Sequence, residues 1–318
     1  MARKTSSSWP LSSTRERAPL KLSVIIPAYR ADATLPRTLR SIEVAAEGLD
    51  VETIVVRDDD ARGPSWARNC GLDRATGDVV FFADADDTVR KGYFRRLVGV
   101  LESAAADFVL SSFDYAPLKR DYNLVGNAEI RRVMLPAFFG YSFDDVRRWN
   151  CGGDLAAWRE QGSVYRCAFR RVFLERYRIR FDESLRFYED APFIAECAAR
   201  AGRIASIPDV LYEYVPGPDG LLAHAHEGNR YWDYKFAALE NRRRMAARVG
   251  GDVLRHFEAS AVFSALELLK ARKDWRRYAA DPFVRQAIRD FPTSLRHPLV
   301  AAGVCFLRLN CRRRSELL

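Results

Sequence analysis

Asp78-Val79-Val80-Phe81-Phe82-Ala83-Asp84-Ala85-Asp86-Asp87 is an apolar run that ends in three carboxylates within four positions. A buried strand would deliver those acids together to the edge of a sheet, where open α/β folds bind their ligands. Such crowding is electrostatically costly unless a cation or hydrogen-bond donors offset it. It therefore reads as a site for a divalent metal, whose oxygen ligands suit a hard ion such as Mn²⁺ or Mg²⁺. The alternative is a polar turn, with Asp86 or Asp87 capping a helix over residues 91–101.

Upstream, Lys21-Leu22-Ser23-Val24-Ile25-Ile26-Pro27 is a β-branched run that reads as a buried parallel strand, stopped by its proline. Leu35, Leu39 and Ile42 then fall at helical spacing within residues 33–46, with Asp32 or Thr34 as cap. Glu52-Thr53-Ile54-Val55-Val56 repeats the strand signal and ends in Arg57-Asp58-Asp59-Asp60. Residues 63–72 open with turn chemistry and become helical before Ala75-Thr76-Gly77 stops them. The β-α-β-α-β order is complete by Ala83, which predicts an α/β fold. Neither a dinucleotide-type G-x-G-x-x-G nor a P-loop is present, and the loop after the first strand is Pro27-Ala28-Tyr29-Arg30 instead.

Taken in order, Val24-Ile25-Ile26-Pro27-Ala28-Tyr29, Val55-Val56-x-Asp58, Ala67-Arg68-Asn69-x-Gly71-Leu72, Gly77-Asp78 and Asp84-Ala85-Asp86-Asp87 resemble the donor half of inverting family 2 glycosyltransferases. The resemblance implies a GT-A fold with a mostly parallel central sheet and a C-terminal helical appendage. It also implies a D-x-D motif holding a divalent ion against the diphosphate of a nucleotide sugar. Pro27, Ala28 and Tyr29 would flank the base and Asp58 would accept from it. Arg68 would meet the diphosphate or hold the acidic loop, Asp84 would face the ribose, and Asp86 would take the metal. The family usually has two acids and then Gly-Ser at the second strand. Here Arg57 takes the first acidic position and Asp59-Asp60 replace Gly-Ser, which leaves the base contact open between Asp58 and Asp59. Arg68 also reads as a surface helix residue paired with Asp73 or Asp78.

Further on, residues 93–105 read as a helix and residues 107–113 as a strand. Residues 117–160 mix charges with Phe138, Phe139, Tyr141, Phe143, Trp149 and Trp158, which are either core or faces for stacking an acceptor sugar. Tyr188-Glu189-Asp190-Ala191-Pro192-Phe193 again resembles the family, at the start of a helix that Gly202 closes. Inversion at an anomeric carbon needs a base for the acceptor hydroxyl, and the resemblance gives that role to Asp190, with Glu189 orienting the acceptor. Asp190 also suits an N-cap, and the helix dipole would keep its pKa low. Residues 204–214 read as a closing strand. His224 and His226 lie in the loop beyond it, where either is a metal or diphosphate contact or merely exposed.

The chain has 318 residues, 48% of them apolar, and a formal charge of +9, enough for a large core and a preference for anionic partners. No zinc-knuckle, RNP or helix-turn-helix pattern stands out, so nucleic acid is not an expected partner. Six scattered cysteines fit a reducing compartment. The expected division is a loose tail (1–20), a nucleotide-sugar half (21–115), an acceptor half (116–225) and a helical region (226–318). An apolar block over residues 298–307, flanked by arginines, suits either an interfacial helix on an anionic membrane or a packed helix with a solvated basic end. The implied activity is metal-dependent transfer from a nucleotide diphosphate sugar, UDP-sugars first, to a saccharide or lipid-linked saccharide in bacterial surface-polysaccharide assembly. The setting is cytoplasmic or peripheral on the inner face of the plasma membrane. The rival is a catalytically silent nucleotide- or carbohydrate-binding protein of the same fold.

Overall fold

In the computed structural model, residues 20–113, 117–155, 160–215, 230–292 and 297–312 are described. The first half runs β1 (Lys21–Ala28), α1 (Leu35–Ala45), β2 (Asp50–Arg57), α2 (Pro64–Arg74), β3 (Val79–Phe82), β4 (Thr88–Val89), α3 (Tyr93–Ser103) and β5 (Phe108–Ser112). Then come β6 (Asn123–Val125), α4 (Asn127–Phe138), α5 (Phe143–Asn150), β7 (Cys167–Arg170), α6 (Arg171–Arg176), α7 (Asp190–Arg200), β8 (Arg203–Val210) and β9 (Tyr212–Glu213). The last part is helical: α8 (Arg230–Val249), α9 (Glu258–Lys270), α10 (Trp275–Ala280), α11 (Pro282–Asp290) and α12 (Pro298–Arg312).

Seven strands form one sheet in the order β2-β1-β3-β7-β5-β8-β6, and β4 pairs with β9 in a separate ribbon. The expectation of a mostly parallel sheet needs correction. β7 is wedged antiparallel between β3 and β5, and β6 is antiparallel to β8, so only the β1–β2, β1–β3 and β5–β8 pairings are parallel. The hairpin-like return through β7 is what brings the second half of the chain beside the acidic loop. Pro27 does not stop β1, because it stays in register with Val56 of β2. The β3 pairing has already ended at Ile25–Phe82, so the missing N–H falls where that ladder has no partner strand.

The two faces of β3 explain its unbroken apolar run. Side chains alternate across a strand, so Val79 and Phe81 join one core with α1 and α3, while Val80 and Phe82 join the other. Phe81 packs edge-on to Phe94 at 5.0 Å, and Phe82 is ringed by Phe169, Phe181 and Phe193. With both faces covered, the strand can emerge only at its end, where the acids begin. The second core is continuous from Ile25 of β1 through α7 to Leu307 of α12. The C-terminal helices thus share the apolar core of the sheet.

Candidate active site

The acidic loop after β3 is fixed by its backbone. Thr38 Oγ1 of α1 lies 3.0 Å from the Ala85 carbonyl and 2.8 Å from that of Asp87, and Arg37 donates to the Asp86 carbonyl. From the other side, the β4–β9 ribbon delivers Tyr212, whose hydroxyl donates to Asp87 at 2.8 Å and accepts from the Asp84 N–H at 3.0 Å. Tyr212 is itself stacked on Tyr165, with centroids 4.3 Å apart.

The three acids therefore differ. Asp87 is buried, and its second oxygen accepts from the Val215 N–H at 2.8 Å. Burial, with the charge of Asp84, pushes its pKa up to about 8. It caps no helix: α3 starts after Gly92, whose left-handed φ of 89° makes the turn, and no side chain caps that end. The expected Asp86 or Asp87 cap is corrected accordingly. Asp84 accepts from Arg68 at 2.9 Å. Asp86 is half-buried, and burial together with Asp84 raises its pKa above the ordinary carboxylate range.

α2 carries the connection to the second half of the chain. Gly71 lets it lie on β1, since a Cβ there would sit 2.2 Å from Ile25 Cγ2. Arg68 is 3% exposed, which corrects the surface-helix reading; Asp73 pairs instead with Arg180, and Asp78 accepts from the Lys21 N–H. Its guanidinium reaches Asp84, Glu189 at 2.5 Å and Asp190 at 3.1 Å. Burial works against its charge, but the three carboxylates hold its pKa above the ordinary value. Asn69 beside it donates to the Phe181 carbonyl and the Glu183 carboxylate and accepts from the Phe181 N–H, fastening the segment that leads to Glu189.

Glu189 and Asp190 open α7. Glu189 occupies the N-cap position in helical geometry without a side-chain capping bond, so neither acid is there as a cap. Asp190 accepts from the Val164 N–H at 3.1 Å. Its pKa is not lowered as the helix dipole alone suggested. Burial outweighs the dipole and Arg68, and with the charges of Glu189 and Asp84 it pushes the group to about 7. Tyr188, just before the pair, is 48% exposed, has φ 56°, and packs on Tyr234 at 5.3 Å. An aromatic residue in that conformation is strained, and such strain gathers at functional sites.

Of the residues expected to flank the base, Ala28 is buried, Pro27 half-buried and Tyr29 47% exposed. Asp58 is buried and accepts from the N–H groups of Arg62 at 2.7 Å and Gly63 at 2.6 Å, holding its own loop. Arg57 pairs with Asp32 at the surface. Of the aromatics that read as either core or acceptor-stacking faces, Phe138, Phe139 and Phe143 are core, and Trp149 is stacked on His297 at 3.5 Å. Trp158, His224 and His226 lie outside the described residues.

Thr38, Tyr188 and Tyr212 were not singled out from sequence. Only Tyr212 carried a usable signal, since a tyrosine in a buried strand must find a partner for its hydroxyl. Among the described residues, no group of three or more His, Cys, Asp or Glu side chains is placed to hold a metal ion alone.

The fold is the GT-A fold of solved glycosyltransferase structures. Staphylococcus aureus TarS (residues 1–349, with UDP-GlcNAc) superposes with a TM-score of 0.54 at 17% identity, over 93% of this chain and 92% of that one. More particularly, residues 49–159 match the sequence model of glycosyl transferase family 2. The chain is 30% identical over 220 residues to the succinoglycan biosynthesis protein ExoO of Rhizobium meliloti (strain 1021), covering 61% of this chain and 60% of that protein. It is 28% identical over 223 residues to the uncharacterized glycosyltransferase EpsJ of Bacillus subtilis (strain 168), covering 63% and 62%. The match thus spans about three-fifths of either relative's length.

Proposed function

We propose that the chain transfers a sugar, with inversion, from a nucleotide diphosphate sugar to a hydroxyl of a saccharide or lipid-linked saccharide during polysaccharide assembly. One observation carries this: the buried Arg68 fork joins Asp84 at the end of β3 to Glu189 and Asp190 at the start of α7. Donor-side and acceptor-side acids are thereby held around one space. The names of ExoO and of the TarS complex support polysaccharide assembly as the setting and UDP-sugars as the first donors to try.

Asp190 takes the proton of the attacking hydroxyl, and a base with a pKa near 7 is well matched to that step at neutral pH. Glu189 orients the acceptor while Arg68 limits the mutual repulsion of the acids. Pro27, Ala28 and Tyr29 flank the base. With both Asp58 oxygens engaged by its own loop, Asp59 is favoured as the acceptor from the base.

The donor set fits a divalent ion. Asp86 presents a hard oxygen ligand loaded by a neighbouring carboxylate, and Mg²⁺-type ions commonly use one or two carboxylates with water and substrate phosphate completing the shell. Held by Asp86, Mn²⁺ or Mg²⁺ would offset the charge of the diphosphate leaving group.

The test is turnover of a UDP-sugar panel with Mn²⁺, comparing wild type with Asp190→Asn and Asp86→Ala. Asp190→Asn should lose about 10²–10⁴-fold in kcat with UDP binding retained. Calorimetry with UDP and GDP, with and without Mn²⁺, should show metal-dependent affinity that Asp86→Ala removes. Full turnover in both variants would sink the mechanism.

A further inference from the structure

α12 has two apolar faces. Val304 and Leu307 point inward and are 1% and 0% exposed, packed on α9, α10 and α11. Arg308 binds the carbonyls of Ile288, Arg289 and Phe291, so this arginine closes the end of α11 instead of reaching solvent. The outward face is apolar as well. Leu299 is 88% exposed, Leu309 63% and Phe306 44%, with Ala302 and Cys305 exposed among them. Positions 299, 302, 306 and 309 lie on one stripe of a helix. A helix that served only the fold would carry polar residues there.

The surroundings of the stripe are basic. Trp275 meets Phe306 at 5.6 Å, which sets the start of α10 beside it, and Lys270, Arg272, Lys273, Arg276 and Arg277 are all exposed in that segment. In the sequence, residues 270–318 hold twelve Lys and Arg against four Asp and Glu, so eight of the chain's nine net positive charges lie there. The rest of the chain is close to neutral. Apolar residues rimmed by concentrated positive charge match an interface with anionic lipid, where the stripe enters the acyl boundary and the bases meet the headgroups. A second copy on this face would set one such charge concentration against another, which disfavours a dimer.

We propose that the α12 stripe and the adjoining segment of basic residues dock this protein on an anionic lipid surface. The proposal stands apart from the transferase reading and is tested without substrate. The full chain is sedimented with phosphatidylcholine vesicles and with vesicles of three parts phosphatidylcholine to one part phosphatidylglycerol. The wild type should pellet with the anionic vesicles only. Leu299→Ser/Leu309→Ser, at exposed positions, should lower the bound fraction about tenfold with an unchanged thermal melt. Lys270→Gln/Arg272→Gln should lower the bound fraction at low salt and flatten its decline as salt rises, because less charge attraction is left to screen. Failure to bind anionic vesicles, or undiminished binding by the leucine variant, would overturn the proposal. So would a concentration-dependent dimer in sedimentation velocity that the leucine variant abolishes, which would give the face to a second copy.

Discussion

Arg68 Nη1 lies 2.5 Å from Glu189 Oε1, a contact between residues 121 positions apart in the chain and almost sealed from water. The same guanidinium serves Asp84 and Asp190, so one cation balances three acids. Removing it leaves buried carboxylates without a counter-charge. Arg68→Met should destabilise the fold by about 3–5 kcal/mol, the usual cost of breaking one side of a buried ion pair. Denaturant melts at neutral pH and near pH 5 check this, because protonating the stranded acids should recover part of the loss. Arg68→Lys should keep more stability but little activity, since an ammonium cannot reproduce the fork.

With Asp190 as the proposed base, its ionisation should set the acid limb of the reaction. A base must be ionised, so kcat/KM should fall as pH drops through about 7, and the Asp190→Asn variant should lack that limb. The stability effect has the opposite sign to that of an ordinary salt-bridged aspartate. Its pKa is raised on folding, so the folded state binds more protons between the usual carboxylate range and about 7. This group's contribution to stability therefore declines as pH rises across that window. Comparing the pH dependence of unfolding for wild type and Asp190→Asn isolates it.

Tyr212→Phe deletes the hydroxyl shared by the Asp84 N–H and the Asp87 carboxylate. A buried acceptor that loses its donor costs about 1–3 kcal/mol. The loop should loosen, so metal-dependent UDP binding should weaken more than the turnover of saturated enzyme. Calorimetry beside steady-state kinetics separates the two.

Tyr188→Gly should act in two directions. Glycine accepts the positive φ that tyrosine bears with strain, which favours the fold by about 1 kcal/mol. The exposed ring beside Glu189, the residue proposed to orient the acceptor, would be gone. A higher melting temperature with a raised acceptor KM and unchanged donor hydrolysis is the expected pattern.

The first half of the sheet was legible because its signals are local. The run from Val79 to Phe82 is apolar on both faces, and the acids follow it immediately, so strand, position and exit could be read together. The division of work among those acids was not legible. Asp87 is occupied by Tyr212, 125 positions later, and nothing near Asp87 announces that partner. The antiparallel place of β7 was hidden for the same reason, since pairing is decided by neighbours distant in sequence. The pKa of Asp190 was misjudged because the dipole is a property of the helix end, whereas burial comes from packing on α2 and the Val164 turn. Phe138 and Phe139 look like sugar platforms in a segment without period, yet the helices packed over them make them core.

Ile25 near one end of the chain and Leu307 near the other lie in one apolar cluster. Growing out of a ribosome, β1 exists long before the C-terminal helices that complete this cluster. The late closure leaves Phe139 and Phe143 waiting for Phe257 and Phe291, a state in which chains are prone to stick to each other. Yield of folded protein should therefore respond to chaperone supply and growth temperature more sharply than the finished molecule's stability would suggest.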